Sequence, residues 1–245
     1  INFIEKPTPN DIRVNPQGFK ALLVEKVTEA ASANVKHVTQ KRAEQPLDTE
    51  KKYTFKPNHI IAIGASTGGT EAITKVLMKM PVNCPPIIIS QHIPEHFSQR
   101  FANRLNKYCA IKVKQAKQGA TLLPGIAYVA PGNQHLKVLE TQNKYRCELV
   151  DSEKVNRHRP SVDVMFASLV PFAKQVQAVL LTGMGNDGAN YLKELKDLGA
   201  TTIIQSKRSS LIWGMPGSAA RISGHVYDTD LQDIAELLLK NAKEI

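Results

Sequence analysis

Two kinds of pattern alternate along the chain from Asn58 onward. Short runs of consecutive apolar residues, HIIAIG, PIIISQ, QAVLLT and TTIIQS, each end in small or polar residues. Apolar positions at helical spacing follow the first three, predicting helices over about Gly69 to Met80, Pro94 to Tyr108 and Asp187 to Leu198. After TTIIQS comes a loop and then the segment GMPGSAARIS. Strands that are apolar throughout, rather than on one face, are buried on both sides. The fold class predicted is therefore α/β: a doubly wound, mainly parallel sheet with helices on both faces. In the middle, GIAYVAPGNQHLKVLE and YRCELV alternate and turn like an antiparallel hairpin insert.

The first 57 residues read differently. INFIE predicts a short strand, Lys6-Pro7 a turn, and Phe19, Leu22, Leu23, Val27 and Ala30 recur at helical spacing. Residues 33–57 are polar, charged and Pro-bearing, the composition of a linker. The expected division is a short N-terminal piece over 1–32, a linker over 33–57 and a main domain over 58–245. The chain does not begin with Met and reads as a fragment or a processed chain.

Composition narrows the class. No apolar run reaches the ~18 residues of a membrane span, and the N-terminus lacks a signal-peptide pattern. Three cysteines, Cys84, Cys109 and Cys147, form no CxxC pair, and an odd count argues against a disulfide framework. They read as small buried hydrophobes in a reducing, cytoplasmic setting. The formal net charge of +10 is unevenly placed. Seven basic residues and no acidic one lie between His96 and Leu139: Arg100, Arg104, Lys107, Lys112, Lys114, Lys117 and Lys137. This is either a solvated face or a docking surface for something acidic. No aromatic residue alternates with these charges, as a nucleic-acid stacking platform needs.

Candidate chemistry sits at the strand ends. IIAIGASTGGT spans Ile60 to Thr70. Its glycines, Gly64, Gly68 and Gly69, miss the G-x-G-x-x-G spacing of a dinucleotide site. The glycine turn of short-chain dehydrogenases is looser, but its Tyr-x-x-x-Lys partner would be Tyr108 and Lys112, across a helix-to-strand junction and early in the chain. The same residues spell Gly64-x-Ser66-x-Gly68, the pattern of a nucleophile held on a sharp strand-to-helix turn. A nucleophilic Ser needs a base, and the base an orienting group. The second strand ends at His92, on the same sheet edge as Ser66. The third ends at LTGMGNDGAN, where Asp187 is either a helix N-cap or the orienting acid. The glycines there free N–H groups such as that of Met184 to face an oxyanion. His92 and His96 also form H-x-x-x-H, but Pro94 and the missing H-E pattern argue against zinc. The bland alternative is a basic, non-enzymatic α/β module that binds an acidic partner.

IGASTGG, QHIPEHF, LLPGIAYVAPGNQH, HRPSVDVMF, LLTGMGNDGA and WGMP, in that order over about residues 58–240, resemble the chemotaxis-receptor methylesterase (CheB) catalytic domain. The resemblance implies a serine hydrolase that removes methyl groups from glutamyl methyl esters on chemoreceptor helices, and that also deamidates glutamines there. Its catalytic serine, histidine and aspartate fall on Ser66, His92 and Asp187. Its oxyanion-stabilising amide falls on Met184, and Thr67 is its threonine beside the nucleophile. His158 is a further residue next to the site, and Arg100 and Arg104 are expected beside its rim. No cofactor and no metal is implied. The implied partners are methyl-accepting chemoreceptor helices and, through a receiver domain, the pathway's histidine kinase, with no nucleic acid and no membrane insertion. INFIEKP and the following helix resemble the tail of that receiver domain. One departure is the loop before WGMP: acidic in the family pattern, it reads QSKRSS here, with Lys207 and Arg208.

Overall fold

The structure, a computed structural model, describes residues 16–32 and 53–244 apart from residue 143. The first described element is helix α1, Pro16–Ser32. It forms where the sequence predicts a helix, but Leu23 and Val27 on its apolar positions are exposed. The expected strand INFIE, the Lys6-Pro7 turn and residues 33–52 lie outside the described residues.

A seven-stranded, wholly parallel sheet carries the rest. Its strands are β1 (Ile60–Ala65), β2 (Ile87–Gln91), β3 (Lys112–Gln115), β4 (Ile126–Val129), β7 (Val176–Leu180), β8 (Thr201–Gln205) and β9 (Tyr227–Thr229), in the order β3-β4-β2-β1-β7-β8-β9. The helices α2 (Gly69–Leu77), α3 (Glu95–Tyr108), α4 (Val162–Ala167), α5 (Ala189–Asp197) and α6 (Met215–Arg221) lie between them, and α7 (Leu231–Ala242) follows β9. They cover both faces, so β1, β2 and β7 are buried at every position. Two apolar clusters result, one on each side: Ile60, Ala62 and Ile88 point into one, Ile61, Ile63 and Ile89 into the other. Alternate residues of one strand thus serve opposite layers.

The insert is real but shorter than the sequence suggests. β5 (His135–Thr141) and β6 (Lys144–Val150) pair antiparallel as a separate two-stranded sheet. Ile126–Val129, within the stretch expected to form the hairpin, is instead a parallel strand beside β2. The described residues just before position 57 are tied to the end of the chain. Lys56 N–H donates to Ala242 O and Glu244 N–H to Thr54 O, so residues 54–56 pair with the segment after α7. Cys84 and Cys147 are buried and Cys109 half-buried; burial pushes their thiols up to about 12, 12 and 11.

Connectivity fixes where a site can form. From β1 the chain moves to β2 on one side, and it returns as β7 on the other. The crevice beyond the carboxyl ends of β1 and β7 is therefore the topological switch point, the usual ligand position in open α/β sheets.

Candidate active site

Ser66 follows β1 at this switch point. Its N–H donates to Thr182 O at 3.1 Å, and its own carbonyl accepts from Gly69 N–H at 2.7 Å and from Gln91 Nε2 at 2.9 Å. The serine is thus tied to the ends of both neighbouring strands. Gly68 takes φ +78°, a left-handed turn that a β-carbon disfavours, and it opens α2 directly behind Ser66. Gly183, after β7, passes so close that a β-carbon there would lie 2.8 Å from that of Ser66. The elbow spacing read in the sequence is therefore also a packing requirement.

His92 follows β2, and β1 and β2 pair with Ala65 opposite Gln91. His92 N–H donates to Ala65 O at 3.1 Å, which ties the end of β2 to the residue before Ser66. Its Nε2 donates to Asp187 Oδ2 at 2.7 Å. Its Nδ1 is buried with no hydrogen-bond partner among the described residues.

Asp187 is not the cap of the helix it precedes. Gly188 occupies that position, with φ +87°. The carboxylate reaches across to α4 instead. Oδ2 accepts from His92 and from Val162 N–H (2.7 Å). Oδ1 accepts from Ser161 Oγ (2.8 Å), Asn156 Nδ2 (2.8 Å) and Asp163 N–H (3.1 Å). Burial alone would push this carboxyl up. The hydrogen bond and charge of His92, with Asn156 and the Val162 N–H, outweigh burial and hold it well below the usual carboxylate range. Its neighbour Asp163 shifts the other way: burial first, then the Asp187 charge, raise it, against the Asn156 hydrogen bond.

A cavity of about 310 Å³ opens over these groups, lined among others by Ser66, Asn156, Arg157, His158, Met184 and Asp187. Met184 N–H makes no hydrogen bond among the described residues, while the carbonyl of Gly183 before it is held by Gly214 and Met215 N–H at 3.0 and 2.8 Å. The WGMP segment thereby fixes the turn that presents the Met184 amide. Thr67 O accepts from Thr182 Oγ1 at 3.0 Å. The His158 ring stacks on His92, with centroids 3.6 Å apart and planes at 13°.

Ser66, His92, Asp187, Met184, Thr67 and His158 thus converge, whereas Arg100 and Arg104 do not. Both stand exposed on α3, outside this cavity and outside a second one lined by Glu95, Gln99 and Asp151. The arginine that lines the cavity is Arg157. Sequence reading missed it, together with Asn156, Ser161 and Asp163. The available signal was HRPSVD, whose Ser161 caps α4 through Val164 N–H. Lys207 and Arg208, the departures in the preceding loop, meet the Trp213 ring and Asp230.

A doubly wound α/β fold with a serine, a histidine and a carboxylate at its switch point defines the hydrolase class of protein. A family model described as CheB methylesterase matches residues 61–238, and the chain belongs to that family. The protein-glutamate methylesterase/protein-glutamine glutaminase of Salmonella typhimurium is 40% identical over 240 residues, covering 98% of this chain and 68% of that protein. The protein of the same name from Hydrogenovibrio crunogenus is 48% identical over 191 residues, 77% of this chain and 51% of the relative. The crystal structure of the Thermotoga maritima CheB methylesterase catalytic domain aligns with a TM-score of 0.73 at 34% identity, over 75% of this chain and 98% of that one. Among the described residues no helix is long and apolar enough to cross a membrane.

Proposed function

We propose that Ser66 attacks the carbonyl of glutamyl methyl esters on chemoreceptor helices, with His92 as base and Asp187 as the group that orients it. The observation that carries this reading is the division of the His92 ring: Nε2 is committed to Asp187, while Nδ1 is buried and unpartnered among the described residues, at the end of the strand that pairs with the one leading to Ser66. With Nε2–H held by the carboxylate, the neutral ring keeps its lone pair on Nδ1. Nδ1 takes the Ser66 proton as the ester carbonyl is attacked. The Met184 N–H, with Thr67 beside it, stabilises the oxyanion. The imidazolium formed is stabilised by Asp187, whose depressed pKa keeps it ionised. Protonated His92 then delivers its proton to the departing methoxide, and methanol leaves. Water, deprotonated by Nδ1, hydrolyses the glutamyl-enzyme and regenerates Ser66. A glutamine amide follows the same route with ammonia leaving, in keeping with the glutaminase part of the relatives' names.

The test is reaction with a fluorophosphonate that traps activated serines. Labelling of the wild-type chain at Ser66, lost in His92→Ala, is the expected result. A protein that is not labelled but shifts DNA or an acidic partner in a gel is a basic binding module instead.

A further inference from the structure

Residues 155–158 form a two-residue turn that the proposed chemistry leaves unused. Val155 N–H donates to His158 O at 3.1 Å and His158 N–H to Val155 O at 2.9 Å. The two residues between them, Asn156 and Arg157, take φ +51° and +67°. This is the left-handed region, which non-glycine residues enter only at a cost, asparagine more readily than most. The turn is exposed, yet both residues flanking Arg157 reach inward. His158 stacks on the His92 ring, and the Asn156 amide lies between two buried carboxylates.

The two protons of that amide are divided. One is donated to Asp163 Oδ2 at 2.6 Å and the other to Asp187 Oδ1 at 2.8 Å. Asp163 and Asp187 are 6% and 2% exposed, so their mutual repulsion is weakly screened. A neutral donor shared between them satisfies both without adding charge. It also completes the set of three donors on Asp187 Oδ1. With Oδ1 anchored on three sides, the carboxylate cannot rotate, and Oδ2 stays aimed at His92.

We propose that Asn156 is a positioning residue for the hydrolysis, its amide bridging Asp163 and Asp187 so that Asp187 Oδ2 faces His92 Nε2. The inference rests on the triad reading above. It predicts that losing the amide slows the chemical step and leaves substrate binding intact.

Asn156→Gly is the decisive variant, because glycine keeps the left-handed backbone and removes only the side chain. Its kcat falls by about 10- to 100-fold, the range for a slightly misplaced catalytic group, while KM stays within twofold. The downfield proton resonance of His92 Nε2–H, measured by NMR, shifts or broadens, although the urea midpoint shows the protein folded. Asn156→Asp keeps the shape but adds a third carboxylate in place of the donor, and is at least as slow. A kcat within twofold of wild type for Asn156→Gly, an unmoved His92 signal, or a loss that matches the unfolded fraction would overturn the proposal. Ser66→Ala in the same assay separates the two levels. If it turns over, the triad reading fails. If it is dead while Asn156→Gly is fully active, only the role of Asn156 fails.

Discussion

Asp187→Asn exchanges an acceptor for a donor at a position where all five neighbours donate. Whichever way the new amide turns, its NH₂ meets a backbone N–H of α4. The variant therefore loses stability as well as activity: on the order of 1–3 kcal/mol for the unsatisfied contacts, and roughly 10⁴ in kcat from the wrong imidazole tautomer. Urea unfolding and steady-state kinetics on the same preparation check both. The wild-type carboxylate also has an acid signature. Its folded pKa lies below the unfolded value near 3.9, so its contribution is complete above that pH and is lost as pH falls further. Ser66→Ala and His92→Ala should each be inactive, and the double variant little worse than either, because the members of such a site act as a unit. Double-variant rates equal to the product of the single losses would contradict this.

Helix α3 presents Arg100, Arg104 and Lys107 to solvent immediately after His92. These charges do not line the cavity, so any part they play is long-range attraction of an acidic substrate, not contact. Such steering is screened over about 8 Å at physiological salt. Arg100→Glu with Arg104→Glu should lower kcat/KM on whole receptor at low salt to its high-salt value, and leave a small neutral ester unaffected. Equal salt dependence for both substrates would show a merely solvated face. The parallel strands legible in the sequence are those with continuous apolar runs, β1, β2, β7 and β8, and the helices legible there are α2, α3 and α5, by their apolar spacing. At the sheet edges, β3, reading KVKQ, buries only Val113 and β9, reading YDT, buries no position, and no apolar run announces them. β4 leads directly into the hairpin, and its sequence merges with the hairpin's alternation. The site shows the same division. Ser66, His92 and Asp187 stand at strand ends and could be placed by counting strands. Asn156 reaches Asp187 from 31 positions away, across an exposed turn, and an asparagine there reads as an ordinary turn residue.

At the scale of the whole molecule, the opposite edge of the sheet holds a second pH-sensitive group. His59 enters β1 buried, its Nε2 accepting from Gln177 Nε2 at 2.9 Å. Burial, with Lys56 adding a smaller effect, lowers its pKa from 6.5 to about 4. The folded value is the lower one, so between those limits the unfolded chain binds more protons. Stability is full above about pH 6.5 and falls as pH drops toward 4, by on the order of 3 kcal/mol. Urea midpoints at pH 7 and 4.5 should differ more for wild type than for His59→Gln. Equal differences would place the acid sensitivity elsewhere.

The proposed chemistry puts hydrolysis at the Ser66 end of the sheet, on one nucleophile. The direct measurement is methanol release from methylated chemoreceptor by the wild-type chain and by Ser66→Ala, with near-UV circular dichroism showing both folded. Release by wild type and none above background by Ser66→Ala is the expected result. Substantial release by the folded Ser66→Ala protein would contradict the assignment.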